Sequence, residues 1–334
     1  MSKSHSTFFL FLLLCLATIM TACQRESITD PGHLVPLTVD ENPDLPAIEI
    51  NGTRLHAWAL GEVGNPVIIT LHGGPGGDHM ELQKFEVLAD SGYRVVFWDQ
   101  RSAGLSRRHN PDVLTESMYL EDLKQLIDYY TQSPEEKVIL LGHSWGAMYA
   151  TMFVNTYPER VKGLILSEPG GFTNTSMLDY VKRTQAISLT PEWSNDLVWM
   201  EQVMSPSAKW FSTEDHELFD YQYLIGAGIT LQQSFSDKES TGGYPVQRFG
   251  AMVGYHLRNN TPYFDWTTRL DQYTSPVLFF YSELNPGYNQ EHLKTMTEVY
   301  PNITIHRIDN VGHDLMVNGF DSVLPIVTDY LKHR

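Results

Sequence analysis

The residues best suited to covalent chemistry lie in the pentapeptide GHSWG, residues 142–146. It follows an apolar run at residues 137–141 and precedes a helix-compatible stretch at residues 147–156. A serine between a strand and a helix in this pattern stands exposed on a tight turn, so Ser144 is predicted to be a nucleophile. Glycine at both ends permits close backbone approach there. The helix would aim N–H groups at the reacting centre.

Two further motifs supply partners for this serine. HGGPGG at residues 72–77 follows an apolar run, and its Gly74 N–H is expected to form an oxyanion hole with the N–H of Trp145. His313, in the late VGH segment, follows a strand-like run and is expected to take the proton of Ser144 and return it to the leaving group. The order of glycine turn, serine and late histidine indicates acyl transfer.

Taken together, HGGPGG, DQRSAGLS at residues 99–106, GHSWG and VGH resemble the proline iminopeptidase branch of the α/β-hydrolases. The resemblance covers residues 47–334. It implies an α/β-hydrolase fold, which is a mostly parallel, doubly wound sheet, with a helical cap inserted after the sixth strand. It also implies a serine hydrolase that acts on a small peptide or acyl substrate. We expect Asp99 and Arg101 of the second motif to brace the loops as an ion pair.

The acid that should orient His313 departs from the pattern of that branch. The family usually carries an aspartate after the seventh strand, and Asn285 stands at that position here. An amide cannot stabilise an imidazolium as a carboxylate does. Glu283 lies two residues away, and Glu168 follows the neighbouring sixth strand, where some hydrolases place their acid. We predict Glu168 as the acid and keep Glu283 and Asn285 as alternatives.

Three functions fit these residues. The first is an aminopeptidase resembling proline iminopeptidase, whose relatives bind the substrate amine with carboxylates of the cap. Candidate carboxylates here are Glu192, Glu201, Glu214 and Asp215. The second is a carboxylic ester or amide hydrolase of a small acyl substrate, and the third is a binding protein on a degenerate hydrolase scaffold. Epoxide hydrolase chemistry is excluded, because it needs a carboxylate nucleophile where Ser144 stands.

The elements that must position these residues follow from alternating apolar runs and helical stretches. They predict a core at residues 47–169 and 273–334, interrupted by an aromatic-rich segment at residues 170–272 that we interpret as the helical cap. The predicted strands are residues 53–60, 67–71, 93–98, 137–141, 161–166, 277–281 and 303–308. The predicted helices are residues 80–90, 116–132, 147–157, 290–299 and 320–332.

The amino terminus indicates where the protein works. Residues 1–22 carry one basic residue and an apolar run too short for a comfortable membrane span, which is typical of a signal peptide. The run ends in MTAC and resembles a bacterial lipoprotein signal, which implies lipidation of Cys23. We therefore expect an extracytoplasmic protein anchored to a bacterial membrane, the outer one if there are two. Residues 23–46, with four prolines, would form a tether. An ordinary secretory signal is the alternative.

Composition excludes several classes of partner. The formal net charge is −17, so the phosphates of nucleic acids would be repelled. The chain has two cysteines, one of them inside the predicted signal, so the mature body lacks a disulfide. No cysteine or histidine cluster has metal-ligand spacing, and no phosphate-binding loop is present in the sequence. We therefore predict neither a metal nor an organic cofactor.

Overall fold

The computed structural model describes residues 33–184, 216–217, 219–221 and 247–332. The chain divides into two compact units, Met1–Leu34 and Val35–Arg334, and the description below concerns the second. The predicted signal peptide and Cys23 lie outside the described residues, as does most of the predicted cap with its four candidate carboxylates. Among the described residues, no helix is both long enough and apolar enough to cross a membrane.

Within the described residues, eight strands form one sheet. The strands are β1 Ala47–Ile50, β2 Thr53–Leu60, β3 Val67–Leu71, β4 Arg94–Trp98, β5 Val138–His143, β6 Val161–Ser167, β7 Val277–Ser282 and β8 Ile303–Ile308. Their order in the sheet is β1-β2-β4-β3-β5-β6-β7-β8. The first two strands pair antiparallel with each other, and β2 pairs antiparallel with β4, whereas the other neighbours are parallel. This confirms the predicted α/β-hydrolase fold.

Helices connect the strands as the alternating pattern predicts. Thr115 accepts a hydrogen bond from the N–H of Met118 and so caps the first α-helix. The α-helices of the described ranges are α1 Glu116–Tyr130, α2 Trp145–Thr156, α3 Asn174–Thr184, α4 Val253–Asn260, α5 Gln290–Thr297, α6 Leu315–Asn318 and α7 Phe320–Leu331. Segments of 3₁₀ helix are His79–Ser91, Pro111–Val113, Pro158–Arg160 and Leu270–Gln272.

The central strands are buried on both faces. Every residue of β3 and β5 is buried, as the continuous apolar runs predict for a parallel sheet covered on both sides. One apolar cluster packs α1 and α2 against the sheet, and the other packs the His79–Ser91 segment and α7. These layers fix the carboxyl ends of β3, β5 and β6, which is the edge where open α/β sheets bind ligands.

The segment before β1 packs on the body from residue 35 onward. The side chain of Val39 is fully buried, and its N–H donates to the carbonyl of Leu105 at 2.8 Å. Arg248 donates to the carbonyl of Pro36 at 2.9 Å and pairs with Glu41 at 3.2 Å. The tether predicted at residues 23–46 is therefore too long, because its last twelve residues belong to the folded unit.

Candidate active site

Ser144 lies at the turn between β5 and α2 with φ 53° and ψ −118°, a strained conformation for a residue with a side chain. Its N–H donates to the carbonyl of Ser167 at 2.8 Å. A Cβ on Gly142 would lie 2.4 Å from the Gly146 carbonyl oxygen, and a Cβ on Gly146 would lie 1.8 Å from that of Leu71. Both flanking positions therefore require glycine.

His313 joins this serine to a buried carboxylate. Its Nε2 lies 3.0 Å from Ser144 Oγ, and its Nδ1 lies 2.8 Å from Glu168 Oε2. The Glu168 side chain is fully buried, whereas 12% of the His313 side chain is exposed. Hydroxyl, imidazole and carboxylate thus stand in the order in which a proton can leave the hydroxyl and be held on the ring.

Both carboxylate oxygens of Glu168 accept hydrogen bonds from neighbouring residues. Ser282 donates to Oε1 with its N–H at 2.7 Å and with its hydroxyl at 2.5 Å. Asn285 donates to Oε2 from Nδ2 at 2.7 Å. These fixed donors hold the carboxylate in one orientation. Glu168 itself has φ 46°, a second strained backbone at the end of a central strand.

The three sequence alternatives for the acid occupy different places. Asn285 Nδ2 lies 3.3 Å from His313 Nδ1, but Nδ2 is a donor and cannot accept the Nδ1 proton. Its Oδ1 accepts from the Gly287 N–H at 2.9 Å, which fixes that orientation of the amide. Glu283 accepts from the Asn310 N–H at 3.0 Å in an exposed loop. The structure therefore brings only Glu168 of the three into contact with His313 as an acceptor.

Gly74 and Trp145, the predicted oxyanion donors, both line the cavity into which Ser144 opens. Trp145 is the first residue of α2, where a backbone N–H has no partner within the helix. A Cβ on Gly73 would lie 3.2 Å from Ser144 Cβ, so the glycine loop passes directly beside the serine. The Gly73 N–H is bonded to Glu81, so that group is not available to another acceptor.

Gln100 connects the two halves of this donor arrangement. Its Nε2 donates to the His72 carbonyl at 2.9 Å, and its Oε1 accepts from Trp145 Nε1 at 2.8 Å. His72 Nε2 accepts the Gln100 N–H at 3.0 Å. Burial lowers the pKa of His72, so the ring is neutral and can act as that acceptor.

The predicted ion pair between Asp99 and Arg101 is wrong. Asp99 accepts from Nδ1 of His56 and from Nδ1 of His79, each at 2.9 Å. Arg101 instead makes a two-point contact with Asp122 of α1, at 2.7 Å and 2.6 Å. The partners of both residues are distant in sequence, so adjacency in the motif gave no information about them.

The cavity beside Ser144 measures about 330 Å³. Apolar side chains dominate its described lining, and Glu116 is the only acid there. Glu116 Oε2 accepts from Trp266 Nε1 at 3.1 Å, and Arg258 lines the same cavity. The main apolar lining residues are Met148, Met152, Met177, Leu257, Phe264 and Trp266.

Two groups of histidine and acidic side chains in the described ranges lie close enough together to be compared with metal sites. In the first, His56, His79 and Asp99, each carboxylate oxygen accepts one ring N–H and one backbone N–H. The second comprises His143, Glu168 and His313. In the first group, hydrogen bonds from both rings to Asp99 account for the short distances. In the second, His313 bonds Glu168, whereas His143 bonds Glu81 and the His313 carbonyl.

Sequence reasoning missed Glu81, which lies behind this site. Its two oxygens accept from the Gly73 N–H and from His143 Nδ1, the latter at 2.5 Å. His143 Nε2 in turn lies 2.7 Å from the His313 carbonyl oxygen. A usable signal exists in the sequence, since Glu81 stands four residues before Phe85 and seven before Leu88, on the apolar face of a helical segment.

Comparison with known proteins agrees with this geometry. The sequence pattern of the alpha/beta hydrolase fold family matches residues 66–320. A proline iminopeptidase of Lactobacillus helveticus is 34% identical over 287 residues, spanning 80% of this chain and 90% of that protein. Human epoxide hydrolase 4 is 26% identical over 306 residues, spanning 86% and 78%.

Among solved structures, the proline iminopeptidase of Mycobacterium smegmatis superposes with a TM-score of 0.60 over 86% of this chain and 97% of that one. At 16% identity this likeness concerns the fold alone. The eight-stranded sheet, the strained serine turn and the matched sequence pattern agree, and the chain belongs to the alpha/beta hydrolase fold family.

Proposed function

We propose that the protein is a serine hydrolase that uses Ser144, His313 and Glu168 as its triad. The observation that carries this proposal is the continuous path from Ser144 Oγ through the imidazole to the buried carboxylate, at 3.0 Å and 2.8 Å. Carboxylate nucleophile chemistry, as in epoxide hydrolases, has no counterpart here because a hydroxyl occupies the turn.

The reaction follows from these positions. Ser144 Oγ attacks the acyl carbon while His313 Nε2 takes the hydroxyl proton. The N–H groups of Gly74 and Trp145 stabilise the negative oxygen that forms. The intermediate then expels the leaving group, which receives the proton from His313. Water next attacks the acyl-enzyme while His313 takes a proton from it, and the ring returns that proton to Ser144 Oγ as the acid product leaves. Glu168 keeps the Nδ1 proton directed away from the serine.

We infer an aminopeptidase that prefers a small apolar first residue such as proline. The named proline iminopeptidase relatives support this substrate class. The cavity supports it as well, because its apolar walls suit a pyrrolidine ring and Glu116 offers one carboxylate for a cationic amine. A carboxylic ester hydrolase is the second candidate, favoured by how apolar the described lining is.

Two chromogenic substrates test the proposal on the soluble form that begins at Gln24. The substrates are a prolyl arylamide and a short 4-nitrophenyl ester, and Ser144→Ala serves as the blank. We expect serine-dependent cleavage of the arylamide. Cleavage of the ester alone would assign the protein to the esterases. If neither substrate is cleaved and a fluorophosphonate fails to label Ser144, the hydrolase proposal is wrong and a binding role replaces it.

We also propose that Cys23 carries a lipid that anchors the enzyme to a membrane outside the cytoplasm. The MTAC sequence after a short apolar run supports this, and acyl chains would anchor the protein without a spanning helix. We expect the full chain to sediment with membranes and Cys23→Ser to release it or leave it unprocessed. Recovery of the full chain in the supernatant, rather than with the membrane pellet, would contradict the anchor.

A further inference from the structure

A second carboxylate–imidazole pair lies behind the proposed triad. Glu81 Oε1 and His143 Nδ1 are 2.5 Å apart, and the two side chains are 2% and 1% exposed. Neither group reaches the cavity, and neither takes part in the reaction steps above. A charged pair withdrawn this far from water carries a desolvation cost, so its retention calls for a physical reason.

The pair is ionised at neutral pH. Burial lowers the pKa of His143, but the charge and hydrogen bond of Glu81 outweigh burial and raise that pKa to about 9. The carboxylates of Asp314 and Glu168 act in the same direction. Burial raises the pKa of Glu81, yet attraction by His143 and hydrogen bonds from His143 and Gly73 bring it below its ordinary value. Both ring nitrogens of His143 are therefore donors.

These donors and acceptors connect three segments of the site. His143 Nε2 donates to the carbonyl oxygen of His313 at 2.7 Å. The second oxygen of Glu81 accepts the Gly73 N–H, in the loop that presents Gly74. His143 itself immediately precedes Ser144. The histidine loop, the glycine loop and the serine turn thus share one pair of side chains.

We propose that Glu81 and His143 are positioning residues, which hold the backbone of His313 and of the glycine loop in the geometry that proton transfer and oxyanion binding need. This inference rests on the proposed hydrolase function. A displacement of about 1 Å at such groups lowers rates by roughly 100-fold, so the backbone contact has a kinetic consequence. A merely structural pair would stabilise the fold without changing the rate of the folded enzyme.

Glu81→Gln is the first variant. Glutamate accepts from both Gly73 and His143, whereas a glutamine of the same shape offers one acceptor and one amide donor. Either one of the two N–H groups faces another donor, or His143 gives up its Nδ1 proton, and with it the charge of the pair, to accept from the amide. We expect kcat to fall about 10- to 100-fold, with KM changed less than twofold, on whichever chromogenic substrate the wild type cleaves.

Asp122→Asn is the matched control, because Asp122 forms an equally buried pair with Arg101 and contributes nothing to the proposed reaction. It should lower the melting temperature as Glu81→Gln does, while kcat stays within twofold of the wild type. An equal fall of kcat in both variants would reduce the effect to general loss of stability and overturn the proposal.

A double variant, Glu81→Met with His143→Leu, separates stability from positioning. Apolar side chains of similar volume remove the desolvation cost and often restore stability. They cannot donate to the His313 carbonyl, so we expect kcat to stay at least about tenfold low even where the melting temperature recovers. Recovery of both quantities would overturn the proposal.

Nitrogen-15 NMR of the histidine rings gives a readout that needs no turnover. We expect His143 to carry both ring protons up to about pH 9 in the wild type, and the His313 ring signals to shift in Glu81→Gln. A neutral His143 at pH 7, or unchanged His313 signals in the variant, would contradict the proposal. If the wild type cleaves neither chromogenic substrate but the His143 and His313 ring signals behave as expected, the result counts against the hydrolase function alone.

Discussion

Two glutamate–histidine pairs lie side by side in this site and differ in what they can do. In both, a buried carboxylate meets Nδ1 of an imidazole, at 2.8 Å for Glu168–His313 and 2.5 Å for Glu81–His143. The difference lies at Nε2. His313 faces the Ser144 hydroxyl at 3.0 Å, whereas His143 faces a carbonyl oxygen at 2.7 Å.

A hydroxyl can give up its proton to a ring nitrogen, but a carbonyl oxygen can only accept a hydrogen bond. The first pair is therefore suited to take a proton and return it, whereas the second has no partner with which to exchange one. Identical residue types are thus suited to chemistry or to positioning according to one contact. Recognising a carboxylate–imidazole pair is not enough to assign a catalytic role.

The largest effect should follow the loss of charge in the first pair. Glu168→Gln keeps the shape of the side chain but cannot stabilise an imidazolium, so we expect kcat to fall by about 10⁴-fold with little change in KM. Steady-state kinetics on the cleaved chromogenic substrate measures this. Glu283→Gln is the control and should leave kcat unchanged, and a large loss in that control would transfer the acid role to Glu283.

An exchange of acid and amide should recover part of that loss. Combining Glu168→Gln with Asn285→Asp puts the carboxylate at the position where the resembling family carries it, near His313 Nδ1. We expect kcat about tenfold or more above that of Glu168→Gln alone. No recovery, in a double variant that melts like the wild type, would mean that the two strand ends do not reach the imidazole equally well.

The smallest effect concerns the pH dependence of stability from the second pair. The pKa of His143 is about 9 in the folded protein and near 6.5 in the unfolded chain. The protonated ring therefore stabilises the fold fully below about pH 6.5, and this stabilisation is lost as pH rises toward 9. Glu81 also stabilises the fold, but its pH dependence runs the other way. Its folded pKa is lowered, so its stabilisation is lost as pH falls.

The difference in melting temperature between the wild type and Glu81→Gln should therefore be widest near pH 6 and narrow toward pH 9, by roughly 1–2 °C for each kcal/mol lost. Asp122→Asn supplies the reference, because the partner of Asp122 is an arginine, a side chain that stays charged in proteins. A difference that stays constant from pH 6 to 9 would show that His143 does not hold its second proton.

Much of the fold could be predicted because the central strands are continuous apolar runs in the sequence. All seven predicted strands are present, and α1, α2, α5 and α7 lie where the helical pattern places them. β1 was missed, since a four-residue edge strand with one buried residue lacks such a run. The packing of Val39 was missed because proline-rich sequence is also typical of tethers.

The site was predictable where the chain itself carries the geometry and unpredictable where distant side chains meet. The serine turn follows from Gly142 and Gly146, whose missing side chains leave a signature in the sequence. The contact of Asp122 with Arg101 and that of Glu81 with His143 join segments 21 and 62 residues apart. A single sequence records no such pairing.

The amide at residue 285 also bears on how long the site survives chemically. Asparagine commonly deamidates when the backbone nitrogen of the next residue attacks the side-chain carbonyl, and that nitrogen must carry a hydrogen. Pro286 follows Asn285, and proline has none. Pro286 thereby protects Asn285 from this route of deamidation. Conversion of Asn285 to aspartate would place a second negative charge beside Glu168.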